Sequence, residues 1–355
     1  MGILKFRALI VLFFAEAGCV PTFDDNLSTL DKPTVLAVQA EPAEAAPGQQ
    51  VQLTGLVGTT DAHATAPELD WGLCIARKPL TELGPVNPVC IQAASGAPAD
   101  SIVALGSGAT VTATVPMDAC RLFGPSLPAP KNGEPSGRPV DPDPTGGFYQ
   151  PVGVTLVDTQ VTSLGAIRIF CPPSGLDQEQ ASAFTSSYRR NQNPALSDIS
   201  VLDAAGGATP VPDDPEALHV DAGKVVHFQA SWAACPIAVT CGDGICGSGE
   251  DQNGCPDDCA TPKGCTGAET YAWFNPGSRK LETRHESVRV SWFASAGRFD
   301  HAVTGRDEDE FATSTTDNVW TAPAASGDIR FWLVVRDARG GQTSRSFLVS
   351  VGKGG

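Results

Sequence analysis

Apolar and polar residues alternate with a period of two along many short segments of this 355-residue chain. The clearest cases are residues 107–115, 225–232 and 287–293, where apolar residues stand at every second position. A strand that packs one face against a core and exposes the other has this pattern. Gly and Pro are abundant, with 37 and 29 residues, and many fall between these segments, as turn residues do. The pattern predicts an all-β protein built from antiparallel β-sandwiches.

The order of these segments predicts two modules. Strand patterns from residue 34 to 234 predict an N-terminal β-sandwich region, interrupted by a proline- and glycine-rich loop at 121–147. The polar patch at 176–190 is a candidate helix. Residues 266–355 carry further strand patterns and are predicted to form a C-terminal Ig-like β domain. A cysteine-rich insert at 235–265 separates the two regions.

The N-terminus has the features of an export signal. Lys5 and Arg7 form a short basic region, residues 8–15 are apolar, and small residues lead to Cys19. Such a segment is too short to span a bilayer and predicts a signal peptide at residues 1–18.

The end of this segment resembles the lipobox of bacterial lipoproteins. In that motif the cysteine, here Cys19 in Ala17-Gly18-Cys19, is lipidated and becomes the mature N-terminus. Glu16 stands where the motif has an apolar residue, and it is also the centre of an A-x-A site for ordinary signal peptidase. Residues 19–33 are polar and unpatterned, which predicts a flexible tether.

The number of cysteines agrees with lipidation and with disulfides. The chain has eleven cysteines, so lipidation of Cys19 would leave an even number for five disulfides. Disulfides form and persist in the oxidising compartments to which exported proteins go. We hypothesise five pairs: Cys74–Cys90, Cys120–Cys171, Cys235–Cys265, Cys241–Cys255 and Cys246–Cys259.

Four of these cysteines fall within residues 241–259, interleaved with acidic residues. A segment this polar cannot build an apolar core, and three kinds of cross-link could hold it: disulfides alone, disulfides with Ca²⁺, or zinc. The spacing differs from the paired C-x2-C of structural zinc sites. The segment resembles Notch-type calcium repeats in outline, which implies a calcium site. The candidate oxygen ligands are Asp243, Glu250, Asp251, Asn253, Asp257 and Asp258.

The strongest resemblance to known domains lies near the C-terminus. Residues 318–323 (NVWTAP) and 331–341 (FWLVVRDARGG) resemble the closing strands of bacterial Ig-like and PKD-like surface domains. The Gly340-Gly341 pair predicts a hairpin turn between the last two strands. With its lipobox and CGDG insert, the chain is similar to large lipoproteins of myxobacteria and their relatives. Such domains are spacers and binding scaffolds, so the resemblance implies a surface role.

The net charge and the absence of common catalytic motifs exclude some classes of function. The net charge of −16 repels a phosphate backbone and argues against nucleic acid as a partner. The acidic run 307–310 predicts either a solvated loop or a second calcium site. The chain has no G-x-S-x-G, no P-loop and no G-x-G-x-x-G after a strand. His285-Glu286 begins like a zincin helix, but Arg289 stands where the second histidine belongs. We expect no catalysis.

The sequence therefore predicts an exported, lipid-anchored envelope lipoprotein with a structural or protein-interaction role. Its partners would be the membrane, through the lipid, and another envelope protein. Val20 after the cysteine favours the outer membrane or cell surface, because in the sorting pattern of lipoproteins an Asp there retains the protein at the inner membrane. The alternative is a calcium-dependent polysaccharide-binding module. Trp292 and Trp332 are predicted to lie in the core, and Trp273 is the candidate for an exposed sugar-binding face.

Overall fold

The described part of the chain begins after the predicted signal peptide. The computed structural model describes residues 27–79, 82–126, 141–235, 241–242, 246, 250, 254–259 and 264–352. The signal peptide, Cys19 and most of the tether and of the 121–147 loop lie outside the described residues, as do Asp243, Asp251 and Asn253. Among the described residues, none of the helices combines the length and the apolar character needed to cross a lipid bilayer.

The first eight strands form the N-terminal module. They are β1 (Thr34–Glu41), β2 (Glu44–Ala45), β3 (Gln50–Gly58), β4 (Leu69–Cys74), β5 (Ile102–Ser107), β6 (Thr110–Thr114), β7 (Phe148–Leu156) and β8 (Val161–Ile169). A three-stranded sheet, β1-β3-β6, packs against a five-stranded sheet, β2-β8-β7-β4-β5. The alternation predicted from the sequence is present in β3, where Val51 and Leu53 are fully buried and Gln50 and Gln52 are exposed. Trp71 fills the centre of this core, and its indole N–H donates to the carbonyl of Gly108 at 2.7 Å.

Short helices and turns complete the N-terminal module. They are α1 (Ala119–Leu122) and two 3-10 turns, Pro88–Ile91 and Ala94–Gly96. The turn at Pro88–Ile91 lies so close to β7 that a side chain at Gly153 would approach the carbonyl of Cys90 at 3.1 Å. The predicted helix is confirmed as α2 (Gln178–Ser187), which begins at a capping box formed by Asp177 and Gln180.

The C-terminal module contains ten strands. They are β9 (Leu196–Leu202), β10 (Ala208–Pro210), β11 (Ala217–Asp221), β12 (Val225–Trp232), β15 (Val288–Ala294), β16 (Arg298–Phe299), β17 (Val303–Arg306), β18 (Thr315–Thr321), β19 (Gly327–Asp337) and β20 (Gln342–Gly352). Two five-stranded sheets, β10-β9-β12-β18-β16 and β11-β20-β19-β15-β17, enclose one aromatic core. Phe228, Trp292 and Phe331 meet at its centre, with ring centroids 5.6 to 6.5 Å from Phe228. The predicted hairpin at Gly340-Gly341 is confirmed as the β19–β20 turn.

The boundary between the modules differs from the boundary predicted from the sequence, which was wrong. The strands within 196–232, predicted to belong to the N-terminal region, pair with the C-terminal module instead. Val226 lies opposite Trp320, and Phe228 and Ile199 belong to the same core as Trp292. The cysteine-rich segment, residues 235–265, is therefore inserted within the C-terminal module and does not separate two modules. Periodicity shows that a segment is a strand, but it does not show which sheet the strand joins.

A two-stranded hairpin follows the cysteine-rich segment. It consists of β13 (Thr270–Asn275) and β14 (Lys280–His285), and it leads directly into β15. The last helical elements are the short helix α3 (Pro256–Cys259) within the cysteine-rich segment and a 3-10 turn at Glu308–Glu310.

The two modules pack sheet against sheet. In β19 the alternate residues Phe331 and Leu333 point into the C-terminal core, whereas Trp332 and Val334 lie on the other face, against Leu36 of β1. Trp332 is only 4 % exposed and Val334 is fully buried, so this part of β19 is covered on both faces. The guanidinium of Arg336 donates to the carbonyl of Leu36 at 2.6 Å and adds a polar contact to the same interface. The molecule is therefore a single body of four layers, and its two modules are not separate domains on a flexible linker.

The N-terminal segment is attached to the C-terminal module before it enters β1. Residues 28–30, called here the N-terminal clip, run parallel to the end of β15. The amide of Leu30 donates to the carbonyl of Ala294 at 3.0 Å, and the amide of Ala294 donates to the carbonyl of Ser28 at 2.8 Å. Leu30 is 9 % exposed and joins the apolar contact between the modules. The predicted tether of residues 19–33 is thus shortened, because it ends at Ser28.

All five hypothesised disulfides are confirmed. The pairs are Cys74–Cys90, Cys120–Cys171, Cys235–Cys265, Cys241–Cys255 and Cys246–Cys259. The first two tie connecting segments of the N-terminal module to its five-stranded sheet, and the other three hold the cysteine-rich segment together.

Candidate functional site

Charged side chains are buried where the two modules, the segment that connects them and the cysteine-rich segment meet. This set, called here the buried polar junction, consists of Glu44, Arg168, Arg189, Glu269, Glu286, Asp337 and Arg339. Each of these residues is at most 8 % exposed. Buried charges are costly unless they are paired and hydrogen-bonded, so the partners of each decide whether the junction is stable.

The N-terminal module contributes an ion pair to the junction. Arg168 of β8 lies 3.3 Å from the carboxylate of Glu44, and its guanidinium also donates to the hydroxyl of Tyr149 at 2.9 Å. The same carboxylate accepts from the hydroxyl of Tyr188 at 2.6 Å and from the amide of Asn191 at 3.0 Å. Burial raises the pKa of Tyr188 to about 12, so this hydroxyl remains a donor at neutral pH. Glu44 thus binds the segment that leaves the N-terminal module.

The C-terminal module contributes Arg339, which follows β19 in the turn before Gly340. Its guanidinium donates to the carboxylate of Glu286 at 2.6 Å and forms an ion pair with Glu269. It also donates to the carbonyl of Arg189 at 2.7 Å and lies 4.8 Å from the centroid of the Tyr271 ring. Burial lowers the pKa of Arg339 to about 10, which still leaves the side chain charged at neutral pH.

Direct hydrogen bonds join the two halves of the junction. The hydroxyl of Tyr149 donates to the carbonyl of Arg339 at 3.0 Å. The side-chain amide of Asn191 donates to the carboxylate of Asp337 at 3.1 Å. The modules are consequently fixed by specific polar contacts as well as by the apolar sheet-on-sheet packing.

Arg189 connects the junction to the cysteine-rich segment. Its guanidinium donates to the carbonyl of Cys246 at 2.8 Å and to the carbonyl of Glu250 at 2.5 Å. The described part of the segment is therefore held against the rest of the molecule by a buried arginine.

The cysteine-rich segment does not offer thiolates to a metal. The carboxylate of Glu250 lies within 4.8 Å of sulfur atoms from both local pairs, but all four sulfurs are bonded in disulfides. The zinc alternative is therefore wrong. Of the predicted calcium ligands that are described, Glu250 and Asp258 are buried and Asp257 is exposed. The carboxylate of Asp258 accepts the amide of Gly242 at 2.5 Å, which is a structural contact.

The acidic run 307–310 is paired with arginines. Arg284 donates to the carboxylate of Glu308 through two nitrogens at 3.0 and 3.1 Å. The ion pairs Arg289–Asp307 and Arg306–Glu310 hold two further acids. These contacts favour the solvated-loop interpretation over a second calcium site.

The tryptophans separate into core and surface as expected, with one difference. Trp292 is fully buried and Trp332 is 4 % exposed, which confirms both as core residues. Trp273 is half-buried, and the guanidinium of Arg284 lies 5.0 Å from its ring centroid. A cation–π contact therefore covers a face that a sugar ring would need.

These features lie together at one end of the molecule, called here the junction end. A cleft of about 640 Å³ is lined there by Asp143 of the N-terminal module, by Arg284 and His285 of β14, and by Asp309 of the acidic run. His285 stacks on Phe311 with ring centroids 3.6 Å apart, and burial lowers its pKa. The cleft presents hydrogen-bonding and charged groups on a rigid base, which suits contact with a polar protein surface.

Sequence reasoning missed the buried polar junction. Arg168 and Arg339 read as ordinary surface residues because arginine is mostly exposed in proteins. One signal was available, since Arg168 stands between two isoleucines in a strand pattern whose neighbours are all apolar.

Asp337 makes the stability of the junction depend on pH. Its carboxylate accepts from the amides of Arg339 and Gly341 at 2.8 and 2.9 Å, but burial outweighs these contacts and raises its pKa from 3.8 to about 7. Burial also raises the pKa of Glu286, and the nearby Asp337 carboxyl raises it further. Between about pH 4 and pH 7, Asp337 in the folded protein thus holds a proton that the unfolded chain has lost.

We therefore expect the free energy of unfolding to fall as the pH rises through this range. Urea unfolding should show a protein about 2 kcal/mol more stable near pH 5.5 than near pH 7.5. An Asp337→Asn variant should lose much of this dependence, while Asp309→Asn, at an exposed carboxylate, should keep it. Stability that rises with pH over this range in the wild-type protein would contradict the assignment.

Comparisons with known proteins show no family. No protein-family model and no curated protein matches the chain. Among solved structures, the adhesin InvE of Yersinia pseudotuberculosis matches 88 % of this chain at 8 % identity and a TM-score of 0.20, and the chain spans 58 % of that adhesin. The FN1–FN3 domains of chicken CNTN1 match 92 % of this chain and 68 % of theirs, at 8 % identity and a TM-score of 0.19. The sheets and the cysteine pairs of the chain itself define its class, which is an all-β protein of β-sandwiches with five disulfides.

Proposed function

We propose that this protein is a lipid-anchored lipoprotein of the cell envelope that serves as a structural and protein-binding scaffold and not as a catalyst. The observation that carries the proposal is the rigid union of the two modules through Trp332, the buried polar junction and Arg189. A body fixed in this way holds its surface loops at constant positions, which is what a scaffold for a protein partner requires. The lipobox-like motif at Cys19 supports the anchor, and the disulfides suit an oxidising compartment.

The anchor predicts the behaviour of a Cys19→Ser variant. Because lipidation needs the cysteine thiol, the variant should leave the membrane fraction, and its mass should lack the acyl chains. Fractionation and intact mass spectrometry measure both effects, with Thr22→Ser as a matched control in the same segment. A wild-type mass that corresponds to cleavage after Ala17 with no lipid would contradict the proposal.

The scaffold role predicts one dominant partner at the junction end. A photo-crosslinking residue in place of the exposed Asp309 should capture a single envelope protein in intact cells. The same residue in place of the exposed Lys224, at the other end of the C-terminal module, should capture much less of it. Equal capture at both positions would argue against a defined binding face.

A further inference from the structure

The N-terminal clip fixes the point at which an N-terminal tether leaves the folded body. Besides its backbone pairing with β15, the hydroxyl of Thr29 donates to the carbonyl of Gly297 at 2.7 Å. Leu27, immediately before the clip, is 74 % exposed, so contact with the body begins at Ser28. The tether therefore leaves from the β15–β16 turn of the C-terminal module.

The strand directions place this turn and the junction end at opposite ends of the module. Ala294, beside the clip, is the last residue of β15, whereas Val288 at its start pairs with Asp337 and Arg306. Asp337 belongs to the buried polar junction, and Arg306 leads directly into the acidic run. The end that carries the clip, called here the clip end, also holds Arg298.

The lengths of chain decide which end can approach a membrane. The six steps from Val288 to Ala294 of β15 separate the two ends by about 20 Å at roughly 3.3 Å per step. From Cys19 to Ser28 the chain has nine steps, and any chain of nine steps spans about 30 Å at full extension and about 17 Å on average as a random coil. To bring the junction end to the bilayer, the tether would have to run back along the body for about 20 Å, which is more than its average coil span and costs conformational entropy. The clip end reaches the bilayer without that cost.

We propose that the clip end is the surface that faces the phospholipid headgroups, and that the junction end is presented away from the membrane. This inference rests on the proposed function, because it requires a lipid at Cys19. It gives the anchored molecule a defined orientation relative to the membrane. The cysteine-rich segment, the acidic run and the cleft of about 640 Å³ then form the membrane-distal face on which a partner binds.

Fluorescence quenching by a headgroup-labelled lipid tests this orientation. A fluorescent non-natural amino acid replaces Arg298 in one variant and Asp309 in another, since both positions are exposed. The lipidated proteins are placed on vesicles of phosphatidylethanolamine and phosphatidylglycerol that contain a nitroxide-headgroup lipid. We expect quenching at position 298 that is several-fold stronger than at position 309. Equal quenching, or stronger quenching at position 309, would overturn the orientation.

A chemical anchor separates the failure of this inference from the failure of the proposed function. Protein made without its signal peptide, with a maleimide lipid coupled to Cys19, carries the same tether whether or not cells lipidate this residue. The difference between positions 298 and 309 should persist in this form, and its absence would refute the orientation alone. A long Gly-Ser insertion between Asn26 and Leu27 should reduce the difference, because a longer tether lets either end reach the vesicle.

Discussion

An Arg339→Met variant is expected to unfold with about 3–5 kcal/mol less free energy than the wild-type protein. Arg339 is fully buried and is the ion-pair partner of both Glu269 and Glu286. Methionine fills a similar volume but leaves the buried carboxyl groups of Glu269 and Glu286 without their cationic hydrogen-bond donor. Removing one partner of a buried pair is far more costly than replacing the whole pair with apolar groups, because the remaining charges cannot be solvated.

The measurement is urea unfolding of both proteins at the same pH, followed by tryptophan fluorescence and circular dichroism. Arg298→Met is the matched control, because Arg298 is exposed and its loss should change the free energy of unfolding by less than about 0.5 kcal/mol. If Arg339→Met were no more destabilising than this control, the junction would not contribute the stability that its geometry implies. A variant that also replaces Glu269 and Glu286 with glutamine should recover part of the loss, since it removes the unpaired charges.

Local patterns were sufficient for the fold class, and the cysteine count was sufficient for the number of disulfides. Alternation with a period of two identified strands such as β3, β12 and β15, because each has one face in a core and one toward solvent or a less apolar layer. The pairing within the cysteine-rich segment was a hypothesis, because six cysteines allow 15 connectivities and sequence alone does not select one of them.

The partners of the strands could not be predicted in the same way. The pattern of β12 is the same whichever module it joins, and only the register with β18 assigns it to the C-terminal core. One signal of the module interface was present, since the run Phe331–Val335 is continuously apolar, as strands covered on both faces are. The arginines that neutralise the acidic run include Arg284 and Arg289, which lie some 20 residues away and reach it only through the fold.

The candidate site was predicted in its parts and not in its arrangement. The cysteine-rich segment, the acidic run and Trp273 were each singled out from sequence, and the fold brings them to the same end of the molecule. All three lie around the buried polar junction. The junction could not be predicted from periodicity, because its charged residues come from several distant segments of the chain. A scaffold needs such a junction because flexible modules would lose conformational entropy on binding a partner.

A Trp332→Ala variant is expected to uncouple the two modules. Trp332 is 4 % exposed and lies on the outer face of β19, in contact with the apolar group that includes Leu30 and Leu36. Truncating a buried tryptophan costs about 3–5 kcal/mol through lost burial and the cavity that remains. Each module keeps its own core, so the loss should fall on the contact between them.

Differential scanning calorimetry should therefore show one cooperative transition for the wild-type protein and two for Trp332→Ala. Val303→Ala is the matched control, because Val303 lies in β17 of the same sheet and is 52 % exposed. It should unfold like the wild-type protein. If Trp332→Ala also unfolded in a single transition with little change in midpoint, the sheet-on-sheet packing would not couple the modules, and the rigid body on which the scaffold proposal rests would have to be held by the polar junction alone.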